Sequence, residues 1–504
     1  MATAHLAYVL LFLVTAGLLF RLRRLLPAPA NPTAAHCPHP NPVLGNTVEF
    51  IRNRRRFFDW YAMLLRDSPP GPACPADVEH LLRGSFGNYV RGPGFRVAMS
   101  ELIGDGLFAA DGRLWKLQRK VASHAFSSRA LRRFSDDVLA VHLRRRLIPF
   151  LDAAAASGDA VDLQDALRRF AFDAICHVAF GVEAEASTAA ADTRKREALF
   201  AAFDAAVEIS FRRALTPPTV VRKVTRLLNV GASRRLRDAV DVFDDYAMSV
   251  VESKESQSRM RREEDGDPDL LSRFMAAMDD DDDDGEQLGA MFPTPQAKRR
   301  LLRDVVVGFV LAGKDTTSSA LTWLFWLLAA NPRCERRVRD ELDGDAKGMQ
   351  QHYLHAAIAE SMRLYPPVPF NGRVAVADDV LPCGAAVRAG WFANYSAYAM
   401  GRMEKIWGEN CLDFSPERWL RDRGDGEFVG VEAARYPVFH LGPRVCLGKE
   451  MAYVQMKTVA AAVLRRFSVE VMAPAADMGS PPAYEMTATM KMKGGLWVRL
   501  RKRE

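Results

Sequence analysis

Residues 439–448 read Phe439-His440-Leu441-Gly442-Pro443-Arg444-Val445-Cys446-Leu447-Gly448. A cysteine bounded by glycines stands just ahead of a helical pattern, Lys449 to Leu464. Its sulfur therefore lies at the positive end of a helix, where backbone N–H groups stabilise a thiolate and lower its pKa. Gly442 and Gly448 admit close backbone approach to a flat ligand, and Arg444 offers a fork for a carboxylate. The chain has 7 cysteines, at 37, 74, 176, 334, 383, 411 and 446, with no Cys-x-x-Cys pair. An odd, widely spaced set argues against a disulfide framework or a structural zinc site, and for a reducing compartment.

Around this stretch lie 504 residues, 49% hydrophobic and 26% charged, which excludes a disordered or fibrous chain. That length suggests about three domains or one large fold. The net charge of +7 is spread over arginines interleaved with acids. Such a surface suits anionic lipid or an acidic protein partner and not nucleic acid, which would demand one basic stripe.

From Val48 onward the periodicity is helical, clearest at 114–126, 160–180, 196–211, 236–251 and 301–330. Strand-like runs are few and late, at 374–376, 386–387, 391–395, 467–472 and 496–500. The fold class expected is mainly α with small β-sheets. Asp279 to Asp284 reads as a solvated loop. The run 301–330 would make a helix of roughly 45 Å, apolar on nearly all sides. Lys314 and Asp315 at its middle are too costly in lipid, so it reads as the central helix of a soluble core.

The first residues follow another logic. Leu6 to Phe20 is continuously apolar, Arg21, Arg23 and Arg24 follow, and Pro27, Pro29 and Pro32 break any helix. About 20 apolar residues span a bilayer. A cleaved leader would carry its charges before the apolar core, whereas here they come after it. The positive-inside rule puts the body in the cytosol. The expected organisation is a membrane anchor over 1–26, a Pro-rich hinge over 27–42 and a globular body over 43–504.

The 439–448 string matches, at every fixed position, the haem-binding signature of the cytochrome P-450 family, Phe-x-x-Gly-x-Arg-x-Cys-x-Gly. Everything after Val43 resembles that family, with the motifs in order. Trp115-Lys-Leu-Gln-Arg119 comes first, then Ala312-Gly313-Lys314-Asp315-Thr316-Thr317, Glu360-Ser-Met-Arg363 and Pro416-Glu417-Arg418-Trp419. The resemblance implies a P-450 haem domain binding haem b. Its cofactor-binding residues would be Trp115, Arg119, Phe439, Gly442, Arg444, Cys446 and Gly448, with Cys446 the axial thiolate that favours O–O cleavage. Trp115 and Arg119, four apart on one helix face, would reach a haem propionate with Arg444. Asp315 and Thr316 would be the catalytic acid–alcohol pair, and Lys314 would point away from the haem. The Thr316 hydroxyl would bond back to its helix, while Asp315 relays protons as a general acid. Glu360, Arg363 and Arg418 would form a structural ion triad.

The resemblance further implies a monooxygenase. It would take electrons from NADPH through NADPH-cytochrome P-450 reductase, use O2, and work as a monomer anchored in the endoplasmic reticulum membrane, facing the cytosol. Residues 353–360, 395–404 and 490–495 resemble the plant fatty-acid ω-hydroxylase clan, nearest the branch acting on fatty acids and jasmonoyl-isoleucine. The expected substrate is therefore a small amphipathic acid, its tail in a slot lined by Val307, Phe309, Leu311 and Phe370. Its carboxylate would be anchored at the mouth by Arg96, Arg212 or Arg213. The alternatives are a reductase-independent isomerase or dehydratase of hydroperoxides, and a non-catalytic haem-binding copy. The chain also departs from the family. Between Arg66 and Val78 a hairpin's worth of residues is absent, prolines there cannot replace ladder strands, and 341–351 is short.

Overall fold

The computed structural model describes residues 47–67, 74–182, 190–215, 228, 230–260, 268–279, 287–344, 351–421, 426–472 and 481–503. The expected anchor and hinge, prolines 69, 70 and 72, and most of the Asp run lie outside them. The principal helices are α1 (Phe57–Asp67), α2 (Gly92–Ile103), α3 (Gly112–Ser123), α4 (Leu163–Phe180), α5 (Ala190–Leu215) and α6 (Ala232–Met260). They are followed by α7 (Leu270–Asp279), α8 (Pro295–Ala330), α9 (Pro332–Asp343), α10 (His352–Leu364) and α11 (Lys449–Arg466). Among the described residues no helix is long and apolar enough to cross a membrane.

The central run at 301–330 forms α8, which starts six residues earlier and holds 36 residues. Its start is chemically defined: Thr294 Oγ1 accepts the Ala297 N–H at 3.1 Å, and Pro295 occupies the first turn, where no N–H is needed. Asn331-Pro332 ends it. The two halves of α8 serve different cores. Leu301 to Val310 belongs to a cluster with α4, α5, α6 and α7, whereas Ala320 to Leu328 belongs to one with α10 and α11. Between them Leu311, Ala312, Gly313 and Thr316 are only half-buried. One face of the middle of α8 is thus left half-open between the two cores, while Lys314 and Asp315 are buried on the other.

Three small antiparallel sheets complete the body. The first orders β1 (Tyr89–Val90), β3 (Asn371–Ala375) and β6 (Phe392–Tyr395), with Val90 opposite Val374 and Arg373 opposite Ala393. The second orders β2 (Val161–Asp162), β8 (Trp497–Lys502) and β7 (Phe467–Val471), and the third pairs β4 (Asp379–Val380) with β5 (Ala386–Val387). The two-residue strands β1, β2 and β4 were not expected, because two residues show no periodicity. Among the described residues β6 has no strand on its far side, and Phe392 is 62% exposed there. The short link after α9 is stitched: the Glu341 carboxylate accepts the N–H groups of Tyr353 and Leu354 at 2.7 and 2.8 Å, capping α10.

Candidate active site

The cysteine loop is built by backbone geometry that only certain residues allow. The Cys446 N–H donates to the Phe439 carbonyl at 2.9 Å, closing the loop, while His440 takes φ 61°, uncommon outside glycine. Gly442 has φ 69°, and a Cβ there would stand 2.1 Å from the Leu82 carbonyl oxygen. A Cβ on Gly448 would lie 3.4 Å from the Phe126 ring. Gly442 therefore admits the Leu82 backbone, whereas a side chain at Gly448 would meet Phe126 only at ordinary contact distance. Phe439 packs on Tyr453 of α11, with ring centroids 5.3 Å apart. Phe126 also stacks on Phe309 at 6.3 Å, which sets α8 beside the loop.

Cys446 is exposed, unlike the buried Cys176, Cys334 and Cys411. Its electrostatics correct the expectation of a lowered thiol pKa. Surrounding protein raises it by desolvation, and this outweighs the Gly448 N–H, Arg119 and Lys449, all of which favour thiolate. The helix end helps without deciding; a bound metal cation would be needed to deprotonate the thiol outright. Arg119 donates to the Val445 carbonyl at 2.6 Å and acts on Cys446. It is thus beside the thiol.

Next to the loop is a concentration of positive charge that the sequence did not reveal. Arg444 lies over the Trp115 ring at 4.6 Å and donates to the Ala110 carbonyl at 2.7 Å and to Asp111 at 2.8 Å. Arg373 of β3 is fully buried, with Nε and Nη2 unpartnered, and the buried Nε of Arg91 is unpartnered too. Burial and then Arg373 lower Arg444 to about 10; burial, Arg373 and Arg444 lower Arg91 well below the guanidinium range. His440 is held neutral by burial and the same arginines. Three guanidiniums face one carboxylate, Asp111. Buried unpaired charge costs several kcal/mol per ion, so the cluster calls for about two further negative charges. The two propionates of haem fit that demand, and an exposed cysteine in the adjoining loop fits its iron. Arg91 and Arg373 were missed because their signal is only an arginine before a Gly-Pro turn or at the edge of a strand-like run, and His440 because it stands at a variable position of the cysteine string.

On α8 the Thr316 hydroxyl donates to the Ala312 carbonyl at 2.6 Å, as its position suggested. Asp315, the expected proton relay, is engaged in ion pairs. It is fully buried, accepts from Lys314 Nζ at 2.6 Å and lies 3.6 Å from Lys491 Nζ. Burial would push its carboxyl up, but Lys314 and Lys491 outweigh that and hold it below the usual range. Lys314 points towards α5, over the Phe200 and Phe203 rings at 5.4 and 5.7 Å. The triad residues also meet: Arg363 grips both Glu360 oxygens at 2.7 and 2.8 Å, and Arg418 donates to Oε1 at 2.8 Å. The Trp419 indole and the Ser415 N–H complete the Glu360 shell, each at 2.9 Å.

The residues expected to bind substrate differ in their surroundings. Val307 is fully buried in the helical cluster, Phe309 packs against Phe108 at 6.2 Å, and Phe370 lies edge-on to Phe57 and Tyr61. Leu311, half-open like Phe370, lies beside the polar middle of α8. Arg96, Arg212 and Arg213 already pair with Asp105, Glu208 and Glu101 at 3.0, 2.8 and 3.3 Å.

A thiol in a pinned loop beside unbalanced buried cations defines the class of haem-thiolate proteins. The chain belongs to the cytochrome P450 family: the family model described as Cytochrome P450 matches residues 74–490. Similar proteins include cytochrome P450 94A1 of Vicia sativa, 37% identical over 93% of this chain and 91% of its own. Cytochrome P450 94B3 of Arabidopsis thaliana is 38% identical over 99% and 98%, and CYP94D108 of Paris polyphylla 40% over 91% of each. The 94B3 alignment runs over 525 positions against 504 residues here, so at least 21 positions have no residue in this chain. A solved cytochrome P450DA haem domain shares the fold, with a TM-score of 0.66 at 20% identity, covering 86% of this chain and 87% of that one. The protein is therefore a cytochrome P450 monooxygenase with haem b as cofactor.

Proposed function

We propose that this monooxygenase hydroxylates an aliphatic acid, a fatty acid at its terminal carbon or jasmonoyl-isoleucine. In this reading it is held at the endoplasmic reticulum membrane by its N-terminal segment, works as a monomer on the cytosolic side and draws electrons from NADPH-cytochrome P-450 reductase. The observation that carries oxygen insertion over hydroperoxide isomerisation is the Thr316–Ala312 hydrogen bond, beside an ionised Asp315, in the polar middle of α8.

When bound, haem supplies the iron at which dioxygen is reduced and from which one oxygen atom reaches a C–H bond. The chain supplies what remains. Cys446 would ligate the iron, with the Gly448 N–H and Arg119 stabilising its charge. Arg91, Arg373 and Arg444 would hold the propionates. The Thr316 hydroxyl, committed as donor to Ala312, keeps its lone pairs free to accept a hydrogen bond, and Asp315 relays protons from the buried side of α8. Glu360, Arg363 and Arg418 hold the segment behind the loop.

For the acid to be attacked at its methyl end, its carboxylate must be fixed so that geometry overrides the weaker internal C–H bonds. Of the three candidate anchors Arg96 is favoured. It and Asp105 are 48% and 54% exposed, so their pair contributes little and exchanges readily for a substrate carboxylate. The test is turnover of dodecanoic acid, dodecane and jasmonoyl-isoleucine by the full chain with reductase and NADPH. Terminal hydroxylation of the acid in preference to the alkane is expected. Oxidation spread along the chain, or equal use of acid and alkane, discards the anchored reading; conversion of a fatty-acid hydroperoxide without NADPH favours the isomerase.

A further inference from the structure

Asp315 belongs to a buried network spanning four parts of the fold. From α8 come Lys314 and Asp315, from the C-terminal loop Lys491, from α5 Asp204, and from α4 Arg168. Lys491 Nζ lies 2.5 Å from Asp204 and 3.6 Å from Asp315, and Lys314 Nζ lies 2.6 Å from Asp315 and 3.6 Å from Asp204. Arg168 pairs with Asp204 at 2.5 Å and with Asp165 at 2.9 Å, and Arg169 holds Asp165 at 2.6 Å. Glu485 and Glu208 complete the charged surroundings from the C-terminal loop and α5. The loop carrying Lys491 is fixed on α8, because Ser319 and Trp323 both donate to the Met490 carbonyl, at 2.6 and 2.8 Å.

Two features give the network a direction. Asp315 is fully buried and its Oδ2 has no partner, so one carboxylate oxygen is open to a proton carrier. Asp204, at the other end, is 36% exposed and meets solvent. The two carboxylates compete for the same two ammonium groups.

Resting on the monooxygenase reading, we propose that Lys491 and Asp204 are positioning residues for proton delivery, Lys491 keeping Asp315 charged and Asp204 drawing the lysines off it from the solvent side. Oxygen insertion converts a C–H bond and O2, with two electrons from NADPH through the reductase and two protons, into an alcohol and water. Those protons come from solvent, and Asp315 must take one up and release it each time it serves. Lys314 and Lys491 favour its ionised form and Asp204 opposes them. Losing either Lys491 or Asp204 breaks the same bridge between α5 and the C-terminal loop, yet the two losses act on Asp315 with opposite sign.

The experiment measures product formed per NADPH consumed, as a function of pH, for the full chain, K491M, D204N and the conservative K491R, with reductase and dodecanoic acid. The red-shifted Soret band of the reduced CO complex and the Soret shift on adding the acid serve as controls. Without Lys491 Asp315 protonates more readily, so the pH of half-maximal coupling moves up in K491M; without Asp204 it moves down in D204N. About half a pH unit or more is expected in each case, with the lost electrons appearing as peroxide. K491R should behave as the parent. Shifts of the same sign, or none in either variant, overturn the proposal, as does loss of the CO band in both, which would make the network a requirement of folding. A parent protein that neither consumes NADPH nor forms product with reductase fails the monooxygenase reading instead, a distinct result.

Discussion

Arg373 shows how one buried side chain reports on a missing partner. Its guanidinium has no exposure to water, two unpartnered nitrogens, and Arg91 and Arg444 as near neighbours. A charge in that position destabilises the haem-free protein and contributes to holding a dianionic ligand. Arg373→Leu is therefore expected to raise the urea midpoint of the haem-free chain, by about 1–3 kcal/mol of stability. The same change should speed haem loss from the loaded protein at least tenfold, read as transfer to apomyoglobin. Unchanged haem loss would remove Arg373 from the propionate site. Cys446 itself was legible from its neighbours in the chain. Arg373 was not, because its meaning lies in residues brought to it by folding.

Among the elements, the segment from α10 to Trp419 is organised around one carboxylate. Glu360 takes four charged or polar donors, and Arg363, fully buried, also donates to the carbonyls of Gly401, Cys411 and Asp413. Glu360→Gln leaves that guanidinium uncompensated and should cost about 3–5 kcal/mol. Arg418→Gln should cost less, because Arg418 is partly solvated and Glu360 keeps its fork. Denaturant midpoints of the two variants check the order; equal small losses would mean that the carbonyls alone hold Arg363. The Glu-x-x-Arg spacing made the first pair readable, one helical turn apart. The carbonyls and the Trp419 indole were not readable, since they come from an irregular stretch with no period.

For the molecule as a whole, the expectation outside the described residues concerns location. Deleting residues 1–26 should release the protein from microsomal membranes while preserving the CO spectrum, as checked by sedimentation and difference spectroscopy. Loss of the spectrum would make that segment part of the body instead. The body has two hydrophobic clusters meeting along α8, and the acid–alcohol pair lies at their junction. That position has a physical reason: charged groups mid-helix can persist only where apolar packing gives way to ion pairs and to a polar ligand.

Periodicity, caps and close-range motifs are properties of neighbouring residues, so the sequence alone determined the long α8, the helical character of the body, the cysteine loop and the i,i+3 ion pair. Tertiary structure alone decided which distant charges meet, namely Arg91 with Arg373 and Arg444, and Asp315 with Lys491 and Asp204. It also decided the sign of their effects. The Cys446 thiol, though exposed on its loop, and the buried Asp315 carboxyl both lose water to surrounding protein, but only Asp315 acquires two ammonium partners, so the first is raised and the second lowered. Desolvation and Coulomb interaction depend on the atoms packed around a group in space, and no spacing along the chain encodes that balance.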